Sequence, residues 1–357
     1  MKDTLNEAFF RRTASLLSDI HPQFNAEVFL QHALAGLDSL ELMDRVTRTA
    51  TAFDAALPIS YVDQLTVLKA YAPKMENSFG CVWPCAHVAI KGLETPQVSL
   101  EALKVLTQYG SAEFAIRPFL KADLLGTLKV MESWSLDSNE HVRRLASEGC
   151  RPRLPWGGNI NELIKDPTPT LNILTTLAKD SSLYVRKSVA NHLNDITKDH
   201  PATVLALIET WDKDNVHTQW IIKHALRTLV KKGDNSALTF LGVGAKPELT
   251  AKLTVRPETV KLGEPISLVA TLTSTATKEQ DLVVDYIIYY VKSSGAPFKK
   301  VFKWKTLTLN ARSMERINKT QLIVDFSTRK HYAGVHKVAL QVNGVIVAET
   351  AFTLHLS

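Results

Sequence analysis

The segment 137-DSNEHVRRLAS-147 returns 43 residues later as 180-DSSLYVRKSVA-190, and this repetition decides the fold class of the first two thirds of the chain. A third segment, 220-WIIKHALRTL-229, continues the series, because Ile222-Lys223 stands 37 residues beyond Val185-Arg186. Repeats of about forty residues are typical of helical hairpins that stack side by side and share one core. Three copies are enough to predict a helical solenoid with a concave surface.

The periodicity of the apolar residues changes once along the chain. Up to about residue 230 they recur every three or four positions, as in helices, and from about residue 249 they alternate, as in strands. Asn343-Gly344 between two apolar runs predicts a tight hairpin. The segment 231–248, with its Gly, Asn, Asp and Pro residues, separates the two patterns. The sequence therefore predicts an all-α HEAT-like repeat solenoid over residues 1–240, followed by an all-β immunoglobulin-like sandwich over residues 247–357.

The charges are distributed unevenly along the chain, whose formal net charge is +6. Residues 1–140 carry 12 basic and 17 acidic side chains, residues 141–246 carry 15 and 10, and residues 247–357 carry 15 and 9. The basic excess therefore lies entirely after residue 140. This asymmetry is typical of a surface that faces a polyanion such as nucleic acid.

Several functional classes find no support in the sequence. Three cysteines are too few for a disulfide framework, and Cys81-x-x-x-Cys85 has no second Cys or His pair at zinc-site spacing. The chain has no P-loop, dinucleotide fingerprint or H-E-x-x-H motif, and no apolar run approaches membrane-spanning length. We therefore expect a cytoplasmic protein that uses no metal or other cofactor and does not bind membranes.

The first repeat places charged residues opposite its apolar stripe. The residues expected to face the core are Val142, Leu145, Ala146 and Gly149, so Arg144, Glu148 and Arg151 fall together on the other face. The same register in the next two repeats selects mainly donors and cations, namely Lys187, Asn191 and Asn194, then His224, Thr228 and Lys231. Such a ladder suits a phosphate backbone. The alternative is a solvated face with an Arg144–Glu148 ion pair that contributes about 0.3–0.5 kcal/mol.

Three segments carry a family resemblance: 110-GSAEFAIRPFL-120, 138-SNEHVRRLASEGCRPRLPW-156 and 180-DSSLYVRKSVANHLND-195. They resemble the signature segments of the bacterial AlkC-type DNA alkylation repair glycosylases, over roughly residues 1–235. The C-terminal part is similar to the immunoglobulin-like module that some members carry. The resemblance implies a HEAT-like solenoid that cleaves the N-glycosidic bond of cationic N3-methylated bases, without a metal and without strand cleavage.

The implied chemistry suits the acidic residues of these segments. An N3-alkylated adenine or cytosine is already cationic, so it leaves without a general acid, and a carboxylate is needed only to stabilise the oxocarbenium-like sugar and position a water. The resemblance points to Glu148 and Glu113 as these carboxylates. Glu113 has a structural alternative, because it follows Ser111 and could be a first-turn acid of a helix. Arg144, Arg151 and Arg153, together with Lys187, Asn191 and Lys231, are expected to contact DNA.

Aromatic residues flank the first repeat. Trp156 follows Pro152 and Pro155 and could pack on a sugar or base, a contact typically worth about 1–3 kcal/mol, or alternatively against the neighbouring repeat. Trp134 and Asp137 are similar to the Trp and Asp of the related AlkD-type branch and are further candidates for lesion or sugar contact, although Asp137 could instead cap a helix.

The sequence therefore predicts a monofunctional DNA N-glycosylase that excises 3-methyladenine and 3-methylcytosine from double-stranded DNA and acts as a monomer. The alternatives are a non-catalytic HEAT-repeat scaffold and a structure-specific DNA-binding protein. The segment 298-FKKVFKWK-305 suggests that the β domain grips DNA with a row of lysines. Those lysines could equally protect an edge strand from aggregation.

Overall fold

The computed structural model describes residues 2–75, 78–243, 246–293, 297–326 and 330–356. By its internal contacts the chain divides into two units, residues 1–225 and 226–357. Gly244 and Ala245, in the predicted linker, lie outside the described residues.

The first unit is helical. Its α-helices within the described residues are α1 (Glu7–Ile20), α2 (Ala26–Leu34), α3 (Leu42–Ala56), α4 (Tyr61–Tyr71), α5 (Val82–Lys91), α6 (Pro96–Leu106), α7 (Arg117–Ala122), α8 (Leu124–Trp134), α9 (Glu140–Glu148), α10 (Asn161–Lys165), α11 (Leu171–Thr176), α12 (Leu183–Ile196), α13 (Pro201–Glu209) and α14 (Val216–Ala225). A two-stranded hairpin of β1 (Arg153–Leu154) and β2 (Gly158–Asn159) follows α9. No described helix is both long and apolar enough to cross a membrane.

The predicted repeat is present as three neighbouring helices, with α12 packed between α9 and α14. Equivalent arginines close the turn before each of the first two helices. Arg143 Nη1 donates to the carbonyls of Asp137 and Ser138 at 2.9 and 2.8 Å, and Arg186 Nη1 donates to those of Asp180 and Ser181 at 2.8 and 2.7 Å. The apolar stripes of the three helices are buried between them, which confirms the HEAT-like stacking.

The second unit contains two packed sheets. A five-stranded sheet has the order β4-β10-β9-β6-β7, and a three-stranded sheet has the order β3-β5-β8. The strands are β3 (Leu249–Arg256), β4 (Thr259–Lys261), β5 (Pro265–Ser274), β6 (Gln280–Val291), β7 (Pro297–Leu309), β8 (Met314–Leu322), β9 (Gly334–Val342) and β10 (Val345–His355). Alternate residues of both sheets form one apolar core, so the predicted sandwich is confirmed.

The hairpin predicted at Asn343-Gly344 joins β9 to β10, and both turn residues have positive φ, as a type I′ turn requires. Two short helices, α15 (Arg227–Lys232) and α16 (Asn235–Phe240), belong to this second unit by their contacts. Gly233, between them, lies so close to Gly344 that a Cβ would come within 3.0 Å of its backbone. The sequence placed these helices in the helical domain, whereas in the structure they pack with the strands.

The lysine-rich strand β7 forms an edge of the five-stranded sheet. Phe302 stacks on Tyr286 of β6 with ring centroids 5.0 Å apart, and the Lys300 ammonium lies 5.2 Å from the Phe302 ring. The arrangement matches the predicted mixture of lysines and aromatic residues. It is also the position at which lysines keep a sheet edge from pairing with another chain.

Candidate active site

Helix α9 forms where the repeat predicts it, but its surroundings differ from the prediction. The Asn139 side chain caps the helix by accepting the His141 amide at 2.9 Å, and Val142 and Leu145 are fully buried. On the face predicted to be exposed, Glu148 is only 6% exposed and Arg151 only 7%. The alternative of a solvated face therefore does not apply to α9, because the segment before α7 and helix α12 cover that face.

The acidic and basic residues of this covered face form one network, which we call the charged cluster: Glu113, Arg144, Glu148, Arg151 and Asp195. Arg144 pairs closely with Glu113, and its Nη2 lies 3.5 Å from Glu148 Oε1. Arg151 Nη1 lies 2.6 Å from the same Glu148 oxygen, and Arg151 Nε lies 2.9 Å from Asp195 Oδ2. Two guanidinium groups thus face three carboxylates, of which Asp195 also pairs with Lys198.

Glu113 and Glu148, the predicted catalytic carboxylates, each pair with the arginines of the charged cluster through one of their two oxygens. Glu113 Oε2 accepts from Ser111 Oγ at 3.0 Å and pairs with Arg144, and Glu148 Oε1 pairs with both arginines. Among the described residues, Oε1 of Glu113 and Oε2 of Glu148 have no hydrogen-bond donor. Each carboxylate is therefore oriented by one oxygen, while the other oxygen remains available.

Asp195 was not predicted from the sequence, although it is central to the network. Lys198 Nζ pairs with its Oδ1 at 2.8 Å, and both Asp195 and Arg151 are buried. Burial by itself lowers the pKa of the Arg151 guanidinium, but Glu148 and Asp195 outweigh this effect and raise it. Arg151 therefore stays charged between two carboxylates and could reach a phosphate only by breaking these pairs, which argues against its predicted role. Arg144 is likewise held between Glu113 and Glu148.

A cavity of about 340 Å³ opens beside the cluster. Its polar lining includes Glu113 and Glu148, and its apolar lining consists of Met43, Phe79, Val82, Phe114, Leu154, Pro155 and Trp156. Met43, Phe79 and Val82 come from the first part of the chain, which lies before the repeats, and the sequence offered no signal for them. An apolar wall around two carboxylates lowers the local dielectric and strengthens their action on a nearby positive charge.

Trp156 lies at the rim of this cavity and is 77% exposed. It occupies the turn between β1 and β2 and has a φ of 64°, a left-handed conformation that is uncommon for a residue other than glycine. A large exposed aromatic ring beside two carboxylates is available to pack on a ligand, so the alternative of packing against the neighbouring repeat does not apply.

Trp134 and Asp137 do not line the cavity, and both predictions are corrected. Trp134 ends α8 and is only 2% exposed, because it fills the core beneath the repeat. The Asp137 carboxylate accepts the Asn139 amide at 2.8 Å and pairs with Lys104 at 3.0 Å. Burial raises the pKa of Asp137, but these two partners outweigh it and lower the pKa. Asp137 therefore stabilises the turn before α9, whereas the helix cap that the sequence alternatively assigned to Asp137 is supplied by Asn139.

The remaining predicted DNA contacts fall into different environments. Lys187 on α12 is exposed, Asn191 one turn later is half-buried, and Arg153 forms a close ion pair with Asp199. Lys231 is exposed on α15, but the helix of the third repeat ends at Ala225, so Lys231 does not continue the face of α14. The extension of the ladder to Lys231 is corrected for this reason.

Comparisons with known proteins agree with this architecture. Residues 107–229 match the family model described as DNA alkylation repair enzyme, and residues 249–356 match the model described as the C-terminal Ig-like domain of the uncharacterised protein YhaZ. The structure of Pseudomonas fluorescens alkylpurine DNA glycosylase AlkC, bound to DNA containing an abasic site analogue, is 49% identical, with 99% of each chain covered and a TM-score of 0.97. The Bacillus subtilis (strain 168) protein YhaZ is 39% identical over 348 residues, which are 97% of each chain.

These similarities extend over both units and confirm the resemblance stated from the three sequence segments. They also confirm that the β-sandwich is immunoglobulin-like. The repeats, the sandwich and near-complete coverage at this level of identity together place the chain in the AlkC-type branch of the DNA alkylation repair enzyme family.

Proposed function

We propose that the protein is a DNA glycosylase that hydrolyses the N-glycosidic bond of cationic N3-alkylated bases, 3-methyladenine and 3-methylcytosine, in double-stranded DNA. The observation that carries the proposal is the pair Glu113 and Glu148, which share Arg144 and face the same apolar cavity. The similarity to a DNA glycosylase bound to DNA supports the substrate class.

The chemistry requires negative charge and little else. A base alkylated at N3 carries a positive charge before the reaction, and as the glycosidic bond lengthens this charge moves onto the deoxyribose. A carboxylate oriented before the reaction stabilises that charge in the transition state at no cost in reorganisation. In our proposal Glu148 faces the developing cation and Glu113 positions the attacking water, each through the oxygen that the arginines do not bind.

The arginines hold the carboxylates in place. Arg144 and Arg151 both bind Glu148 Oε1, which fixes the orientation of this carboxylate at the apolar cavity. Asp195 occupies the far side of Arg151, so the guanidinium neutralises Glu148 only in part. Glu148 therefore keeps part of its negative charge for a cationic transition state.

In this proposal each unit contributes exposed side chains to DNA binding. Trp156 would pack on the sugar or base at the lesion, and Lys187 would contact a phosphate, with Asn191 beside it. Arg153 would contact a phosphate only by giving up its pairing with Asp199. The lysines of β7 would hold the duplex outside the lesion, which is the functional alternative to protection of the sheet edge.

The test is the release of free methylated bases from radiolabelled alkylated DNA by the purified full-length protein. The double variant Glu113→Gln/Glu148→Gln serves as the matched inactive control. Release of 3-methyladenine and 3-methylcytosine by the parent protein but not by this variant supports the proposal. Tight binding to alkylated DNA without base release would indicate a structure-specific DNA-binding protein, and no binding would indicate a scaffold.

A further inference from the structure

The loop that carries Trp156 is held in an unusual backbone conformation. This tryptophan loop, residues 149–158, runs from the end of α9 through β1 and the turn to the start of β2. Trp156 has a φ of 64° and Gly158 a φ of 72°, so two residues of one turn are left-handed. A non-glycine residue keeps such a conformation only where its surroundings enforce it.

The side chain of Arg117 binds the backbone of this loop. Its Nη1 donates to the carbonyls of Gly149 at 2.9 Å and Arg151 at 3.0 Å. Its Nε donates to Gly157 O at 2.9 Å, and its Nη2 donates to Gly158 O at 2.7 Å. One guanidinium thus binds both ends of the tryptophan loop at four carbonyls. The planar, forked geometry of arginine allows this, whereas a lysine ammonium has one nitrogen and cannot reach both ends.

Arg117 is only 2% exposed and forms no ion pair within the described residues. Burial lowers the pKa of its guanidinium, as expected for a cation enclosed without a carboxylate partner. Burying such a cation is unfavourable unless its donors are satisfied, so the four carbonyls are needed to hold it there. In turn, these four carbonyls lose a charged donor if Arg117 is replaced.

The position of Arg117 in the chain connects this clamp to the site. It begins α7, four residues after Glu113, while the loop that it binds starts directly after Glu148. The Arg117 side chain therefore connects the segment that contains Glu113 to the tryptophan loop, which follows Glu148 and carries Trp156.

We propose that Arg117 is a positioning residue for the proposed excision reaction, and that it acts by fixing the tryptophan loop so that the Trp156 ring stays at the rim beside both carboxylates. The expected effect of Arg117 on the excision rate rests on the proposed function, whereas its expected effect on the position of the Trp156 ring does not. If Arg117 only stabilised the fold, its replacement would lower the melting temperature without a specific effect on Trp156.

The first experiment is spectroscopic and needs no enzymatic activity. The full-length protein, which has six tryptophans, is labelled with 5-fluorotryptophan, and the Trp156 signal is assigned by its absence in Trp156→Phe. In Arg117→Lys the Trp156 fluorine signal should shift or broaden, while the other five stay in place. Arg48→Met is the matched control, because Arg48 also donates to a backbone carbonyl, that of Ala35 at 2.8 Å, but lies on α3. An unchanged Trp156 signal in Arg117→Lys overturns the proposal whatever the activity of the protein.

The second experiment is a double-mutant cycle in single-turnover excision. Arg117→Lys should slow excision by about 10- to 100-fold, with DNA affinity changed by less than about threefold, because a displacement near 1 Å at a reacting centre has effects of that size. Combined with Trp156→Ala, the Arg117 change should add almost nothing, since its effect passes through the ring. Fully additive effects would assign Arg117 to general stability and refute the proposal. Parent activity in Arg117→Lys would refute it as well.

A third variant keeps the test valid if Arg117→Lys does not fold, which its melting curve would reveal. Gly158→Ala strains the same loop from the solvent side, because no other atom lies within 4 Å of the added Cβ and only the positive φ is disfavoured. It should move the Trp156 signal and slow excision in the same direction. A moved signal with unchanged excision would show that the loop conformation does not control the rate. Complete absence of base release in the parent protein would refute the proposed function instead and leave the spectroscopic test intact.

Discussion

Replacement of Glu148 by glutamine tests the proposed mechanism most directly. The glutamine side chain has nearly the same shape and keeps a carbonyl oxygen for Arg151, which binds Glu148 Oε1 at 2.6 Å. It removes one negative charge from the charged cluster. The variant thus separates the charge of Glu148 from its packing.

The expected kinetic effect follows from electrostatics. A full unit charge about 4 Å from the carboxylate interacts by about 4 kcal/mol at an effective dielectric constant of about 20, and a partly developed charge by about half of that. Loss of about 2–4 kcal/mol corresponds to a rate lower by about 30- to 1,000-fold. Because the interaction develops in the transition state, affinity for undamaged duplex should change little.

The stability of the variant should fall only moderately. Arg151 retains Asp195 at 2.9 Å, and Arg144 retains Glu113 together with Ser111 Oγ at 2.8 Å, so neither guanidinium is left unpaired. We expect a decrease of about 1–2 kcal/mol in the free energy of unfolding, below the 3–5 kcal/mol typical when a buried ion pair loses one partner completely.

The assay is single-turnover excision of 3-methyladenine, with denaturant unfolding and DNA binding measured on the same preparation. Glu140→Gln is the matched control, because Glu140 is an exposed acid at the other end of α9. It should excise at the parent rate. A Glu148→Gln rate within about threefold of the parent, in a folded protein, would refute the assignment of Glu148 as the stabilising carboxylate.

Three further predictions concern the second carboxylate, the DNA contacts and the response to acid. Glu113→Gln should also slow excision while preserving the fold, and a parent rate would show that Glu113, which lies in the turn before α7, takes no part in the reaction. Lys187→Ala should make the slope of log K against log salt concentration for DNA binding shallower by about one unit. Arg151→Met removes a buried cation and should leave that slope unchanged. Equal slopes for both variants would contradict the inference that Lys187 contacts a phosphate and Arg151 does not. The free energy of unfolding should decrease as the pH falls from about 6.5 to about 4, because burial lowers the pKa of His87 and of His192 to about 4. The unfolded chain binds these protons first, so the stability contributed by the neutral histidines is present above about pH 6.5 and is lost below it, by on the order of 3 kcal/mol per histidine. Denaturant titration across this pH range measures the loss.

The repeat could be predicted from the sequence because its determinants are local. Arg143 and Arg186 stand 43 residues apart and each binds the carbonyls five and six positions earlier, so the same short pattern forms the same turn twice. The alternation in the β region and the Asn343-Gly344 turn are likewise properties of a few neighbouring residues. Family membership could be inferred for a related reason, since its signature lies in three continuous segments.

The charged cluster could be predicted only in part. Glu148 and Arg144 are four residues apart, and this spacing brings them together on any helix, exposed or buried. Whether the pair lies in water depends on what covers the helix, and here Glu113 and Asp195 come from segments 31 residues before Arg144 and 44 residues after Arg151. The predicted phosphate contacts of Arg144 and Arg151 did not allow for this burial.

The sequence alone therefore determined the order of the elements, the repeat, the sandwich and the identity of two carboxylates, because each depends on periodicity or on short motifs. Only the tertiary structure decided that these carboxylates are buried and share one arginine, that Met43 and Phe79 line their cavity, and that Arg117 holds the loop of Trp156. These properties arise where distant segments pack together. Burial and partner choice depend on that packing, which local periodicity does not encode.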